Sequence, residues 1–583
     1  MRLLPRYLPF LQWLGSYRRA DATGDLLAAV IVTLLLIPQS LAYAMLAGLP
    51  PQYGLYASIA PLAVYGLLGT SRTLSVGPVA VVALLTASAL QPLAPAGSAA
   101  YVNLALTLAL MVGAISLVLG LLRGGFIASL LSHPVVSGFV TGSSLLIILS
   151  QLKHLLGVRA AEGHLPWQGA WKLVLAAGDT NLVTLGLGVG ALALLVLMRA
   201  PLRRLLQRWG VKPTAALMIS RLGPAVLVAL ALALSALLSL HGRFGVSVVG
   251  AFAQGLPGLT VPELAWADVG ALLPAALVIV LVGYVESVSV GRSLGARKRQ
   301  AIDPSQELVA LGAANIASAM TGGFPVTGGF SRSVVNDDAG ARTGLASIVT
   351  AGLIALAALF AAPWFALLPH VVLAATVIVA VSPLVNVQEL RSLWRRDRAD
   401  GALAGLTIVA VLAFGVEVGV GAGVALSLLQ LLWRAARPHM AVLGRVGETE
   451  HFRNVLRHPV TTTPGLLLLR VDESLFFANI RGIEDRLLAL LAQDPAVRNV
   501  VLVCSGVNAI DSSAEHSLDM LVPRLAAAGV TVHLAEVKGP VMDRLVASGF
   551  VGRFAPGRIF LSTHEAVLAL QGEPANRQSA QAA

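Results

Sequence analysis

Cysteine is nearly missing from this chain. Cys504 stands alone in 583 residues, which excludes an intramolecular disulfide and any zinc or iron–sulfur site built from cysteines. Charge is also scarce. Only 12% of residues are Asp, Glu, Lys or Arg, about half the share of a soluble domain, so one soluble core is excluded. Extended polar sequence is lacking as well: 56% of residues are hydrophobic and the mean hydropathy is +0.80. That excludes intrinsic disorder, which needs a chain poor in Leu, Val and Ile. What remains is a polytopic helical membrane protein with room for a soluble appendage.

Acids are the rarer charge, and the formal net charge is +12. Residues 1–440 hold 28 Lys and Arg against 15 Asp and Glu, whereas residues 441–583 hold 13 against 14. The basic excess therefore belongs to the hydrophobic part, where it marks membrane topology; a nucleic-acid partner would need a clustered basic face on a soluble module. The stretch from Met1 to Arg19 is broken by Pro5, Arg6 and Pro9 and has no small-residue cleavage site. It reads as a cytoplasmic, interfacial lead-in over residues 1–24 rather than a signal peptide.

Apolar segments begin near residues 25, 53, 75, 101, 126, 178, 222, 269, 307, 329, 345, 366, 401 and 418, fourteen in all, and the transporter domain they predict runs over 25–437. Most approach the roughly 20 residues needed to cross a bilayer. The even-numbered loops carry seventeen Lys and Arg, including Arg72, Arg342 and clusters from Arg199 to Arg221 and Arg292 to Arg299. The odd-numbered loops carry four: Lys153, Arg159, Lys172 and Arg243. This asymmetry predicts a multi-pass protein of the inner (plasma) membrane with both termini in the cytoplasm.

Two segments are short, the third and the tenth, and they are equivalent if the fourteen divide seven and seven. Each follows glycine- or proline-bearing text: Ser75-Val76-Gly77-Pro78-Val79, and Pro325-Val326-Thr327-Gly328-Gly329-Phe330-Ser331-Arg332-Ser333. Interrupted segments at matching places in two halves point to a transporter binding site, although short glycine-bearing segments also serve tight helix packing. Half-helices starting near Gly77-Pro78 and Gly328-Gly329 would aim backbone N–H groups and about half a positive charge each at the membrane interior, which suits an anion. Arg332 falls in the first turn of the second half-helix. At depth an unpaired guanidinium costs several kcal/mol, so an acid or an anionic substrate should face it; nearer the surface it would cap a loop.

Glu286, inside the apolar stretch Ala275–Val290, is the clearest acid within a span. Its burial and a neighbouring Arg332 act on its proton affinity in opposite senses, which makes it a candidate proton carrier or, equally, half of a permanent ion pair. Gln39 and Tyr43 lie four apart on the first span, after the bend that Pro38 introduces, and both can donate to an oxyanion or bond neighbouring helices. Asp25 is expected to cap that span, Glu417 to lie solvated in an outer turn, and Asp337 and Asp338 to face the cytoplasm.

Beyond Pro438 the pattern shifts to strands at 465–471, 500–503 and 530–535 and helices at 483–492, 516–527 and 539–548, a small α/β domain over 438–570 followed by a polar, disordered tail at 571–583. Scattered His, Asp and Ser there form no catalytic constellation. No pattern calls for a metal, a cofactor or an enzymatic activity.

The runs Ile37-Pro38-Gln39-Ser40-Leu41-Ala42-Tyr43, Ser75-Val76-Gly77-Pro78-Val79-Ala80-Val81, His133-Pro134-Val135-Val136-Ser137-Gly138-Phe139 and Phe330-Ser331-Arg332-Ser333 resemble the sulfate permease (SulP) family of anion transporters. The C-terminal domain resembles its STAS domain (sulfate transporter and anti-sigma-factor antagonist). The resemblance implies fourteen segments as two inverted seven-segment repeats, a core domain moving against a gate domain, and a homodimer. It implies an inorganic anion, sulfate first, contacted by Gln39, Tyr43, Gly77, Pro78, Val79, Phe330, Ser331 and Arg332. The run Glu286-Ser287-Val288-Ser289-Val290-Gly291-Arg292-Ser293 is similar to that of plant-type sulfate–proton symporters, which implies protons as the coupling ion and Glu286 as their carrier. Val79 stands where many animal members have Phe, which points away from halide-type exchange. Sodium-coupled uptake of bicarbonate or dicarboxylate, and an anion-sensing receptor that signals through STAS, are the alternatives. In Asp511-Ser512-Ser513-Ala514, Ser513 matches the phosphorylated position of anti-sigma antagonists; a Ser or Asp there also suits a helix N-cap.

Overall fold

The computed structural model describes residues 8–15, 17–129, 132–158 and 165–571. Arg159 and the expected tail beyond Gln571 lie outside the described residues. The chain divides after Ser427 into two compact units, a division that falls inside the helix Val416–Ala436.

Helices occupy each of the fourteen apolar segments. Among the described residues, six are long and apolar enough to cross a membrane alone, and up to eight if two bent pairs each count as one span. The short ones have local causes. Ala80–Leu90 and Phe330–Asp338 are each preceded by a two-residue strand, Val76–Gly77 and Thr327–Gly328, and these pair antiparallel with Val76 opposite Gly328 and Gly77 opposite Thr327. Chain committed to strand pairing cannot also be helix, so each of these segments enters the membrane as strand and continues as a half-helix. The antiparallel register means that the third and tenth segments run in opposite directions, as inverted repeats require.

Packing sorts the helices into two groups. Ala99–Leu121 lies against Pro304–Met320 and Trp266–Arg297, and Arg19–Leu46 against Leu345–Phe360. His133–Leu156 lies instead against Arg398–Phe414 and His370–Val381, which also packs on Leu182–Met198. In the first group glycines let backbones meet: a Cβ on Gly312 would lie 2.6 Å from Leu117 N, and one on Gly113 2.9 Å from Gly312 O. Lipid offers no hydrophobic drive for helix association, so such close approach supplies much of the attraction.

Two buried acids stitch the first group together. Glu307, in the first turn of Pro304–Met320 where the helix dipole favours an anion, is fully buried. It accepts from Tyr65 Oη at 2.7 Å, Thr70 N at 2.8 Å, Thr70 Oγ1 at 2.5 Å and Ser71 N at 3.2 Å. Asp25 does not cap its own span, because that helix already starts at Arg19. It is buried one turn and more inside and accepts from Arg342 N at 2.7 Å, Thr343 N at 3.1 Å and Thr343 Oγ1 at 2.5 Å. The donors just before Leu345–Phe360 thus find their acceptor on a distant helix.

The second unit carries a six-stranded sheet in the order Phe452–Asn454, Met440–Arg445, Leu466–Val471, Asn499–Val503, Thr531–Ala535, Ile559–Phe560; the first two pairings are antiparallel and the rest parallel. Alternation divides the third of these strands between two cores, with Leu467, Leu469 and Val471 on one face and Leu466 and Leu468 on the other. Helices Ile480–Gln493, Ser512–Ala527 and Gly539–Ala547 match the expected ones. Strands Met440–Arg445, Phe452–Asn454 and Ile559–Phe560 and the last helix, Thr563–Gln571, are additions, too short or too mixed in pattern to stand out. Cys504 is buried, and burial pushes its thiol up to about 12.

Glu307→Ala should lower stability by about 2–5 kcal/mol, since it strands four donors, two buried and two half-buried; thermal unfolding in detergent checks this, with Glu307→Gln losing less. Alkylation of Cys504 at pH 8 should run on the order of a thousandfold slower in the folded protein than in denaturant, because only the thiolate reacts; mass spectrometry of the labelled fraction over time measures it.

Candidate functional site

The two half-helices begin beside each other. Val79 and Gly329 are their N-caps, both extended in backbone and both without a capping side chain. Orphan N–H groups of each first turn are therefore left for another acceptor. Pro78 does not occupy a first-turn position: the helix starts at Ala80, and Pro78 contributes its carbonyl instead. Arg332 Nη1 donates to Pro78 O at 2.6 Å across the ribbon.

Arg332 is 3% exposed, and its Nε and Nη2 have no hydrogen-bond partner among the described residues. A buried guanidinium holding one neutral carbonyl is far from satisfied. Of the two readings open for Glu286, the permanent ion pair with Arg332 is not formed among the described residues, since Nε and Nη2 are unbonded. Two glycines make room for this guanidinium. A Cβ at Gly329 would lie 2.9 Å from Arg332 Nε and Nη2, and one at Gly77 3.3 Å from Nη1.

A cavity of about 670 Å³ gathers the sequence-predicted residues. Gln39 and Tyr43 reach it from the first span, Pro78 and Val79 from the first half-helix, and Phe330, Ser331 and Arg332 from the second. Glu286 lines it from the helix Trp266–Arg297 and is half-buried. Gly77 does not line it but backs onto Arg332. From there the cavity extends past Thr376 to Arg199, Arg203, Arg204 and Arg221. Arg199 Nη2 donates to Val379 O at 2.6 Å, and Arg221 is ion-paired with Asp338.

Sequence reasoning missed the side chains that hold the ribbon. Ser287 Oγ accepts from Gly328 N at 2.9 Å and lies 2.8 Å from Thr327 Oγ1, which donates to Gly283 O at 2.7 Å. Ser333 Oγ accepts from Ser75 N at 2.9 Å, and Asn336 Nδ2 donates to Thr73 O at 3.0 Å. Ser287 adjoins Glu286 and Ser333 adjoins Arg332 in the sequence, the only signal available there. Arg199, Arg203 and Arg204 had been legible as topology alone. Glu417 is not a solvated turn residue: Oε1 is buried without a partner among the described residues, beside a separate cavity of about 540 Å³ that Lys153 also lines. Asp337 pairs with Lys298 at 2.6 Å.

Ser513 belongs to the second unit. The cap of Ser512–Ala527 is Asp511, whose Oδ1 accepts from Ala514 N at 2.7 Å, so Ser513 sits exposed in the first turn with no capping task.

The sulfate permease family model matches residues 23–407, and the STAS domain model residues 458–566. A relative described as a probable sulfate transporter of Mycobacterium tuberculosis is 38% identical over 95% of this chain and 96% of its own. Sulfate transporter 4.1, chloroplastic, of Arabidopsis thaliana is 35% identical over 96% of this chain and 82% of its own. Among solved structures, the murine solute carrier 26 family member A9 anion transporter in the inward-facing state superposes with a TM-score of 0.89 at 24% identity, covering 98% of this chain and 95% of that one. The transmembrane domain of a cyanobacterial bicarbonate transporter superposes with a TM-score of 0.58 at 21% identity, over 71% of this chain and 98% of that one.

Gly329→Ala should displace the Arg332 guanidinium while leaving the ribbon paired. The expected outcome is a loss of anion-induced thermal stabilisation with little change in the unfolding temperature of the anion-free protein, read by a melting series in sulfate against gluconate.

Proposed function

The chain belongs to the sulfate permease family, and on that premise we propose that it is a secondary active transporter of sulfate or a similar inorganic oxyanion, coupled to protons and working by alternating access. The observation that carries the reading is the buried Arg332 with two unpartnered donors, set where two half-helices begin. A compact oxyanion would accept from these donors and from the first-turn N–H groups, with Gln39, Tyr43 and Ser331 completing its shell. Such a site gains its affinity from donors already in place, without reorganisation.

Glu286 supplies the coupling. A carboxylate in the same cavity repels a dianion, and a proton on Glu286 removes that repulsion, so proton and sulfate bind cooperatively and each favours the other by the same factor. The continuity of the cavity with Arg199, Arg203 and Arg204 supports an inward-open conformation, because the Lys and Arg distribution assigns that side to the cytoplasm. These cations also raise the local anion concentration at its mouth. The packing of helices into two groups, with the cavity between residues of both, supports motion of a core against a gate. The names of the relatives favour sulfate as the substrate. The inner membrane, cytoplasmic termini and a homodimer complete the proposal, with the transporter domain over 25–437 and STAS over 438–570.

Labelled sulfate should accumulate in proteoliposomes under an inward proton gradient, and acidification should tighten sulfate binding on the order of tenfold. Glu286→Gln should leave flux that ignores the gradient, and Arg332→Ala should weaken binding by about 10–100-fold. Uptake that follows a sodium gradient and is indifferent to pH would overturn the coupling; binding without flux would overturn transport.

A further inference from the structure

Away from the transport cavity, a second concentration of positive charge lies beneath the helix Phe10–Leu14. A cavity of about 600 Å³ is lined there by Trp13, Arg72, Lys298, Arg299 and Arg342. A neighbouring one of about 530 Å³ shares Trp13, Arg72 and Gln300 with it, so the two make one trough. Three loops distant in sequence bring these cations together: Arg72 follows the second segment, Lys298 and Arg299 the eighth, and Arg342 the tenth.

The acids along the trough are already engaged. Asp21 pairs with Arg342 at 3.1 Å and Asp337 with Lys298 at 2.6 Å. Asp303 caps the helix Pro304–Met320, accepting from Ser305 N at 2.9 Å and Gln306 N at 3.3 Å. Arg72 and Arg299 thus line one cavity with no acid partner among the described residues, which leaves two guanidinium groups free to meet an anion.

Arg299 supplies a second, independent sign. It follows the end of the helix Trp266–Arg297 with φ of 52°, while Gln300 N donates to Gly295 O at 2.8 Å. That is the left-handed helix-ending position at which glycine is strongly favoured, because a Cβ is strained there. A guanidinium kept at a strained backbone position is a mark of use rather than of stability.

The side chains beside the trough indicate what fills it. Trp13 is 7% exposed and faces the trough, whereas Leu11 and Leu14 on the same short helix are 39% and 57% exposed. Apolar side chains directed outward beside a basic pocket are the pattern of a membrane–water interface. We propose that this trough binds the phosphate headgroup of an anionic phospholipid, held by Arg72 and Arg299 and flanked by Trp13, with Leu11 and Leu14 set toward the acyl layer.

The test uses the full-length protein in neutral detergent, offered phosphatidylglycerol or phosphatidylcholine of identical chains, with retained lipid counted by native mass spectrometry. Wild type should retain phosphatidylglycerol in preference, and the pair R72Q and R299Q together should reduce that retention on the order of tenfold or more. Both arginines are exposed, so the unfolding temperature without lipid should hold, and the pair R72K and R299K should keep most of the retention. Equal retention of the two lipids by wild type, or undiminished retention by the glutamine pair, overturns the proposal. So does displacement of the lipid by glycerol 1-phosphate at equal concentration, which would make the ligand a soluble phosphate ester. Arg332→Ala should leave the lipid preference intact, so failure here is separable from failure of the transport reading.

Discussion

A guanidinium buried with two of its nitrogens unbonded is the constraint around which the membrane unit is organised. Among the described residues Arg332 has one hydrogen-bond partner, the Pro78 carbonyl, and a cation left so at depth is unfavourable by several kcal/mol. Everything adjacent accommodates it. The segments that carry it and face it are strand before they are helix, so their first-turn N–H groups converge on its surroundings. The flanking positions nearest its nitrogens are glycines, because a methyl group at Gly329 would overlap it. Such an arrangement is poor as a folding device and good as a binding one.

The rest of the first unit compensates for that local cost. A two-residue ribbon is too short to hold itself, and the hydroxyls of Ser287, Thr327 and Ser333 with the amide of Asn336 fix its ends to neighbouring helices. Glu307 and Asp25 do the same on a larger scale, each collecting three or more donors from segments far away in the chain. Close glycine crossings between Ala99–Leu121 and Pro304–Met320 add rigid contact where lipid supplies no hydrophobic drive. The polar cavity is thereby carried on helices whose mutual positions are fixed by buried and half-buried hydrogen bonds.

The second unit obeys the ordinary rules of a soluble domain, with a largely parallel sheet covered on both faces and its one cysteine sealed in the core. Its single polar feature of note, the Asp511-Ser512-Ser513 turn, divides the labour: Asp511 closes the helix, and Ser513 is left exposed.

Legible in the amino-acid order alone were the membrane class, the segment pattern, the matched interruptions in the third and tenth segments, and three strands and three helices of the second unit. These follow from hydropathy, periodicity and the placing of Gly and Pro, all local properties. It also singled out Gln39, Tyr43, Glu286 and Arg332, because polar side chains inside apolar runs are conspicuous. What they and the other polar groups face is set by how the helices pack. Asp25 looked like a local cap and serves a backbone more than 300 residues away; Glu307, with partners 236 to 242 residues distant, gave no local sign at all. Arg332 and Glu286 read equally as an ion pair or as separate groups, and the fold left two of the arginine's three nitrogens unbonded among the described residues. Hydropathy and periodicity are read from neighbours a few residues apart, whereas a hydrogen-bond partner is chosen by which helices pack, and that is known only once the chain has folded.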